Sequence, residues 1–150
     1  MTSLVDAVPR AGFKAIAFDA FPIFDPRPIA ALADALLPGK GQALMNGWRV
    51  RQFEYQWLRA LAGQYVDFLQ ATHDSLTFAA TQLGLDIAPA THAQLMAAWS
   101  DLHVWPDAAA ALKTLHDAGL RLAFLSNMTS PMLTAGLKKA RLESMFEAVI

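Results

Sequence analysis

The run Ala15-Ile16-Ala17-Phe18-Asp19-Ala20-Phe21-Pro22-Ile23-Phe24 sets one carboxylate at the end of a short apolar segment and continues apolar straight after it. Such a run predicts a buried strand over about residues 14–19, and open α/β sheets bind their ligands outside the carboxyl ends of the strands. Asp19 is therefore the first candidate for chemistry.

Beyond it the pattern alternates strand-like and helix-like segments, with a long helical block between. Asp25-Pro26-Arg27-Pro28 breaks the strand, and Ile29 to Leu37 reads as a short helix stopped by Pro38-Gly39. Gln42 to Leu61 is the clearest helix, because Trp48, Gln52, Tyr55 and Arg59 recur at helical spacing beside a second row of Arg49, Phe53 and Gln56. Two more helices are expected at about 65–83 and 89–101. Pro106 opens a helix through Ala118, Gly119 ends it, and Leu120 to Leu125 is a second buried strand finishing in Ser126-Asn127. Ser130 reads as an N-cap with Pro131 at the first helical position, predicting a helix to about Arg141. Phe146 to Ile150 is a third strand. The pattern gives an α/β fold: a Rossmann-like core from residues 1–26 and 104–150, with residues 27–103 inserted as a helical cap. An insertion leaving the carboxyl edge of a sheet can close over a site like a lid.

Composition removes several function classes. A chain of 150 residues that is 55% hydrophobic has ample material for a core. A net charge of -1 with scattered Lys and Arg argues against nucleic acid as a partner. With no cysteine there is no disulfide, thiolate nucleophile or Cys-based zinc site, and His73, His92, His103 and His116 lack the close spacing of a metal site, so no metal is expected. Met1 to Arg10 shows no secretory pattern, and no uninterrupted apolar run of about 18 residues occurs, so the expectation is a cytoplasmic protein with no membrane association.

An aspartate at a strand tip can serve as a covalent nucleophile, although the same residue type also caps turns. Arg49 and Phe53, one helical turn apart, put a planar guanidinium and an aromatic ring on one face, which suits a small substrate with a carboxylate and an apolar end; a solvated helix arginine is the plainer alternative. Ser126-Asn127, between strand and helix, offers a hydroxyl, an amide and backbone N–H groups to an anion, or else ordinary turn chemistry. Trp48, Tyr55, Trp57 and Phe68 belong to helix packing rather than to a cofactor box. The G-x-G-x-x-G, Walker, G-x-S-x-G and H-E-x-x-H motifs do not occur.

Phe18-Asp19-Ala20-Phe21, then Trp48-Arg49-Val50-Arg51-Gln52-Phe53-Glu54-Tyr55-Gln56-Trp57-Leu58-Arg59, then Leu125-Ser126-Asn127, in that order, resemble the type II L-2-haloacid dehalogenases of the HAD superfamily. The first and last blocks are superfamily-wide signals, whereas the long middle block is the cap signature of the dehalogenase branch. The resemblance runs from about Phe13 to Ile150 and implies hydrolysis of (S)-2-haloacids to (R)-2-hydroxy acids without a cofactor. In that family the aspartate at the Asp19 position displaces halide from carbon to give an ester, which water then cleaves. Arg49 falls on the arginine that receives the halide or steers the substrate. Ser126 and Asn127 fall on residues that bind the substrate carboxylate and support the nucleophile. Ala20 and Phe21 match the backbone and ring lining the pocket, Phe53 and Phe68 extend its apolar wall, and the family suggests a homodimer.

Rival readings are a phosphatase relative and a non-catalytic chain that acts by dimerising. Phosphatases of the superfamily carry a second aspartate two residues after the nucleophile, where this chain has Phe21. The family's catalytic lysine and last acidic motif lie beyond the third core strand, and Lys138 and Lys139 cannot take the lysine's role, so the chain is expected to be the N-terminal part of a longer dehalogenase. The family also has Gly-Thr where Pro22-Ile23 stands. Pro22 lacks an N–H and Ile23 lacks a hydroxyl, which removes possible hydrogen bonds to Asp19. Ile23→Thr is accordingly expected to speed halide release from 2-chloropropionate, and a halide assay that shows no gain contradicts this account.

Overall fold

The computed structural model describes residues 12–150, so Met1 to Arg10 and the absence of a leader read from them lie outside the described residues. Three parallel strands, β1 (Ala15–Phe18), β4 (Arg121–Phe124) and β5 (Phe146–Val149), form a sheet in the order β1-β4-β5. Between β1 and β4 lie β2 (Phe24–Asp25), the helices α1 (Arg27–Leu36), α2 (Gly41–Leu61), α3 (Phe68–Gln82) and α4 (Pro89–Ala98), then β3 (His103–Val104) and α5 (Ala108–Asp117). The helix α6 (Ser130–Ala140) and one 3-10 turn (Glu143–Met145) link β4 to β5. Among the described residues no helix is long and apolar enough to cross a membrane.

Alternation along β4 buries Leu122 and Phe124 and exposes Arg121. Those buried residues share one hydrophobic cluster with Leu112 of α5 and with Met132, Leu133 and Leu137 of α6. Within it Phe24, Phe124 and Phe146 form a stack, with ring centroids 5.9 Å apart for the first pair and 4.3 Å for the second. Gly136 of α6 lets the helix approach that stack, because a Cβ there would stand 2.4 Å from Cε1 of Phe24.

The expected elements are present, with four corrections. First, β1 is not a buried strand among the described residues: Ala15 and Ala17 are exposed and Ile16 and Phe18 half-buried, because within those residues β1 pairs with β4 alone and is packed on one face. Second, the N-cap before α6 is Thr129 rather than Ser130, and Pro131 is the second helical residue; proline is tolerated there because the first turn has no intrahelical acceptor for its missing N–H. Third, Pro106 forms a turn and α5 starts at Ala108. Fourth, the antiparallel pair Phe24↔Val104 and Asp25↔His103 has no counterpart in the expected elements. Two residues are too short a run for period-2 patterning to register. This ladder joins the chain where it leaves for the helical segment to the chain where it returns.

Inside that segment α1 and α2 form a tight helical hairpin. A Cβ on Gly41 would lie 2.2 Å from the backbone nitrogen of Asp34, so the first turn of α2 meets the backbone of α1 itself. Backbone on both sides leaves no side chain to swing away. Gly41→Ala is expected to cost about 3 kcal/mol through overpacking despite its gain in helix propensity, read as a lower midpoint in urea unfolding.

Candidate active site

The parallel ladder pairs Phe18 with Phe124, so β1 and β4 end level with each other and release Asp19 and Ser126 at the same rim. The Ser126 hydroxyl donates to Oδ1 of Asp19 at 3.0 Å and accepts from the Met128 N–H at 3.2 Å. The Phe21 N–H donates to Oδ2 of Asp19 at 3.1 Å. Each carboxylate oxygen is thus held by one donor, yet Asp19 stays solvent-exposed. Ala20 is completely buried and contributes through its carbonyl, which accepts from the N–H groups of Ile23 at 3.0 Å and Phe24 at 2.8 Å and closes the loop after the carboxylate. Ile23 points into the core and is 3% exposed, so a threonine there would take its hydroxyl into apolar surroundings while Asp19 stays exposed; this corrects the expectation that Ile23→Thr restores a hydrogen bond and speeds halide release.

Opposite this loop α2 presents Arg49. Its guanidinium lies over three rings, with centroids at 4.4 Å for Phe21, 4.8 Å for Phe53 and 5.0 Å for Trp99. Phe21 in turn packs against Phe53 and Phe68, both at 6.5 Å, and against Trp99 at 6.3 Å. Arg49 also donates to Oε1 of Gln52. Gln52 is completely buried and gives its amide N–H to the Thr72 hydroxyl at 2.6 Å, and that hydroxyl donates to the Phe68 carbonyl at 2.5 Å. This chain of hydrogen bonds fixes the guanidinium from behind. Burial pulls the Arg49 guanidinium down to about 10, while the charge of Asp19 acts in the opposite sense. At pH 7 the group remains a cation. A weakly hydrated planar cation among ring faces is suited to hold a small anion.

Of the residues singled out in the sequence, Asp19, Ala20, Phe21 and Ser126 meet at the rim, and Phe21 is shared with the nest of Arg49, Phe53 and Phe68. Asn127 is exposed and makes no side-chain hydrogen bond to Asp19 or Ser126 among the described residues. Sequence reading missed Trp99 and Gln52 as parts of the nest, since each is also what a buried helix face would contain. It missed Trp105 too, whose indole N–H donates to the Phe21 carbonyl at 2.8 Å. The expectation that the histidines stay apart needs correcting for one pair. His73 and His92, on α3 and α4, meet with ring centroids 4.7 Å apart, because helix packing joins positions that sequence spacing separates. They border a hollow of about 520 Å³ lined also by Asp67, Gln70 and Met96, which does not include Asp19 or Arg49. Charge and hydrogen-bond donors converge instead at the rim and nest. Among the described residues no three His, Cys, Asp or Glu side chains are placed to hold a metal ion.

Residues 4–150 match the family model of haloacid dehalogenase-like hydrolases. The chain is 39% identical over 138 residues to an (S)-2-haloacid dehalogenase of Xanthobacter autotrophicus, covering 91% of this chain and 54% of that protein. It is 34% identical to haloacetate dehalogenase H-2 of a Moraxella species, with 91% and 62% covered. Among solved structures, the L-2-haloacid dehalogenase RSc1362 superposes with a TM-score of 0.89 at 36% identity, over 92% of this chain and 63% of that one. The Xanthobacter enzyme with chloropropionic acid covalently bound superposes with a TM-score of 0.82 at 37% identity, over 92% and 56%. The chain therefore spans little more than half to under two thirds of the length of these relatives.

Arg49 is half-buried and, among the described residues, has no carboxylate in hydrogen-bond contact, so its desolvation lowers stability. Arg49→Met keeps most of the volume and removes the charge. It is expected to raise the thermal melting temperature while weakening bromide binding, and a lower melting temperature shows instead that the charge is a net stabiliser.

Proposed function

Because the chain belongs to the haloacid dehalogenase-like hydrolases, we propose that it contributes the nucleophile and halide nest of an enzyme that hydrolyses (S)-2-haloacids. One oxygen of the Asp19 carboxylate attacks the carbon bearing the halogen. The new C–O bond forms as the carbon–halogen bond breaks, and the halide carries the electron pair away toward Arg49. Backside displacement inverts the carbon and leaves an ester on Asp19. Water then attacks the carboxyl carbon of that ester and the acyl C–O bond breaks; the departing oxygen takes one proton to give the 2-hydroxy acid, the other passes to solvent, and the carboxylate is restored.

The observation that carries this reading is the pairing of an exposed carboxylate, oriented by Ser126 and the Phe21 N–H, with a cation seated among aromatic rings. Preorganised donors of this kind cost no rearrangement when the reaction occurs. Phe21, Phe53 and Phe68 supply the apolar wall for the carbon end of a small haloacid, while Ser126 and Asn127 offer polar groups to its carboxylate. A ring at position 21 cannot donate a proton to a leaving alcohol, which sets the phosphatase reading aside. We read residues 27–103 as a cap over a core built from 1–26 and 104–150. The homodimer that the family resemblance suggests would draw on Val50, Trp57, Leu58 and Leu61, which α2 leaves exposed.

Asp19→Asn tests the proposal. Incubated with 2-chloropropionate, the 150-residue chain is expected to release chloride and gain one substrate-derived group in its intact mass, whereas the variant does neither. Equal chloride release by the variant removes Asp19 from the reaction, and magnesium-dependent cleavage of a phosphate ester by the unaltered chain supports the phosphatase reading instead.

A further inference from the structure

Trp105 stands one residue beyond β3, where the chain returns from the helical segment. Two of its groups reach the loop that follows Asp19. The backbone N–H extends the β2–β3 ladder by donating to the Ile23 carbonyl at 2.9 Å, and the indole N–H donates to the Phe21 carbonyl at 2.8 Å. Pro22, between these two carbonyls, has no N–H of its own and a ring-restricted φ. We propose that Trp105 is a positioning residue for the nucleophile, clamping Phe21 to Ile23 so that the Phe21 N–H stays on the Asp19 carboxylate.

The backbone of Phe21 has two soft torsions, and this arrangement holds both of its ends. Its N–H is fixed on Oδ2 of Asp19 and its carbonyl on the indole. The same two bonds aim the Phe21 ring, which lies beneath the Arg49 guanidinium at 4.4 Å. Trp105 therefore acts on the nucleophile and on the halide nest through one residue. A phenyl ring could fill much of the space but would leave the Phe21 carbonyl without the indole donor, while the backbone N–H to Ile23 would remain. Arg27, at the start of α1, stacks its exposed guanidinium 4.4 Å from the Trp105 ring centroid and pairs with Asp25 at 2.8 Å. Arg27 touches neither carbonyl bond, so its loss separates stacking from clamping.

The inference rests on Asp19 being the nucleophile, and the experiment keeps the two questions apart. The 150-residue chain, Trp105→Phe and Arg27→Met are each incubated with a series of 2-chloropropionate concentrations, and adduct formation is followed by intact mass. Trp105→Phe is expected to slow the first-order step about ten- to hundredfold, with the half-saturating concentration unchanged within about twofold, because orientation rather than binding is lost. Arg27→Met is expected to stay within about twofold of the unaltered chain. Amide hydrogen exchange supplies a readout independent of turnover, and Trp105→Phe is expected to speed exchange at Phe21 and Ile23. If Trp105→Phe does not fold, replacement of Trp105 by benzothienylalanine removes only the N–H and is read in the same way. A variant lacking the indole N–H that alkylates at the original rate overturns the clamp. Should the unaltered chain form no adduct, the dehalogenase reading fails by itself, and unchanged exchange at Phe21 and Ile23 then overturns the clamp.

Discussion

The parallel ladder between β1 and β4 brings Asp19 and Ser126 together, and the geometry of the rim depends on its register. The bonds Arg121 N–H to the Lys14 carbonyl and Leu125 N–H to the Phe18 carbonyl continue the pairing past both ends of the strands. A slip of one residue would turn every side chain of β1 to the opposite face and separate the hydroxyl from the carboxylate. Register is specified here by burial on one face only, through Leu122, Phe124 and the aromatic stack with Phe24 and Phe146. The other face, which the described residues leave exposed at Ala15, Ala17 and Arg121, adds the Arg121–Glu147 contact between neighbouring strands, and exposed ion pairs contribute about 1 kcal/mol or less.

The second constraint is a charge held away from water. Isolated burial of a cation is costly, and Arg49 offsets that cost with ring faces and one amide oxygen rather than with a carboxylate partner. A salt bridge would neutralise the cation and occupy the position that an incoming anion needs. The inner network of Gln52, Thr72 and the Phe68 carbonyl has each of its hydrogen-bonding groups engaged, which makes a polar cluster in a packed interior tolerable. Trp48 joins the same turn by donating its indole N–H to the Thr72 carbonyl at 2.8 Å. The α2–α3 pair is thereby a rigid mount for one guanidinium.

Three tryptophans divide the remaining tasks, two through their N–H groups and one through its ring. Trp48 ties α2 to α3, Trp99 places its ring against Arg49 and Phe21, and Trp105 ties the returning strand to the loop after Asp19. The donors of Trp48 and Trp105 end on backbone carbonyls, and a backbone carbonyl carries no residue identity. Such partnerships leave no trace in composition or spacing. The same holds for the two-residue β2–β3 ladder at the root of the helical segment and for the meeting of His73 with His92.

Local chemistry made much of this protein readable in advance. The break at Asp25-Pro26, the helical period of residues 42–61, the stop at Gly119 with its φ of +82° and the isolated carboxylate of Asp19 are properties of neighbouring residues, so the α/β order and the leading candidates Asp19, Arg49 and Ser126 could be read from the chain alone. Tertiary structure decided that, among the described residues, the Asn127 side chain makes no hydrogen bond to the carboxylate, and that Trp99, Gln52 and Trp105 pack or bond around Arg49 and Phe21. Those facts depend on which residues distant in sequence pack together, as Trp105 does with a carbonyl 84 positions earlier. The period of a helix or strand says which face is apolar, but not which neighbour will cover it.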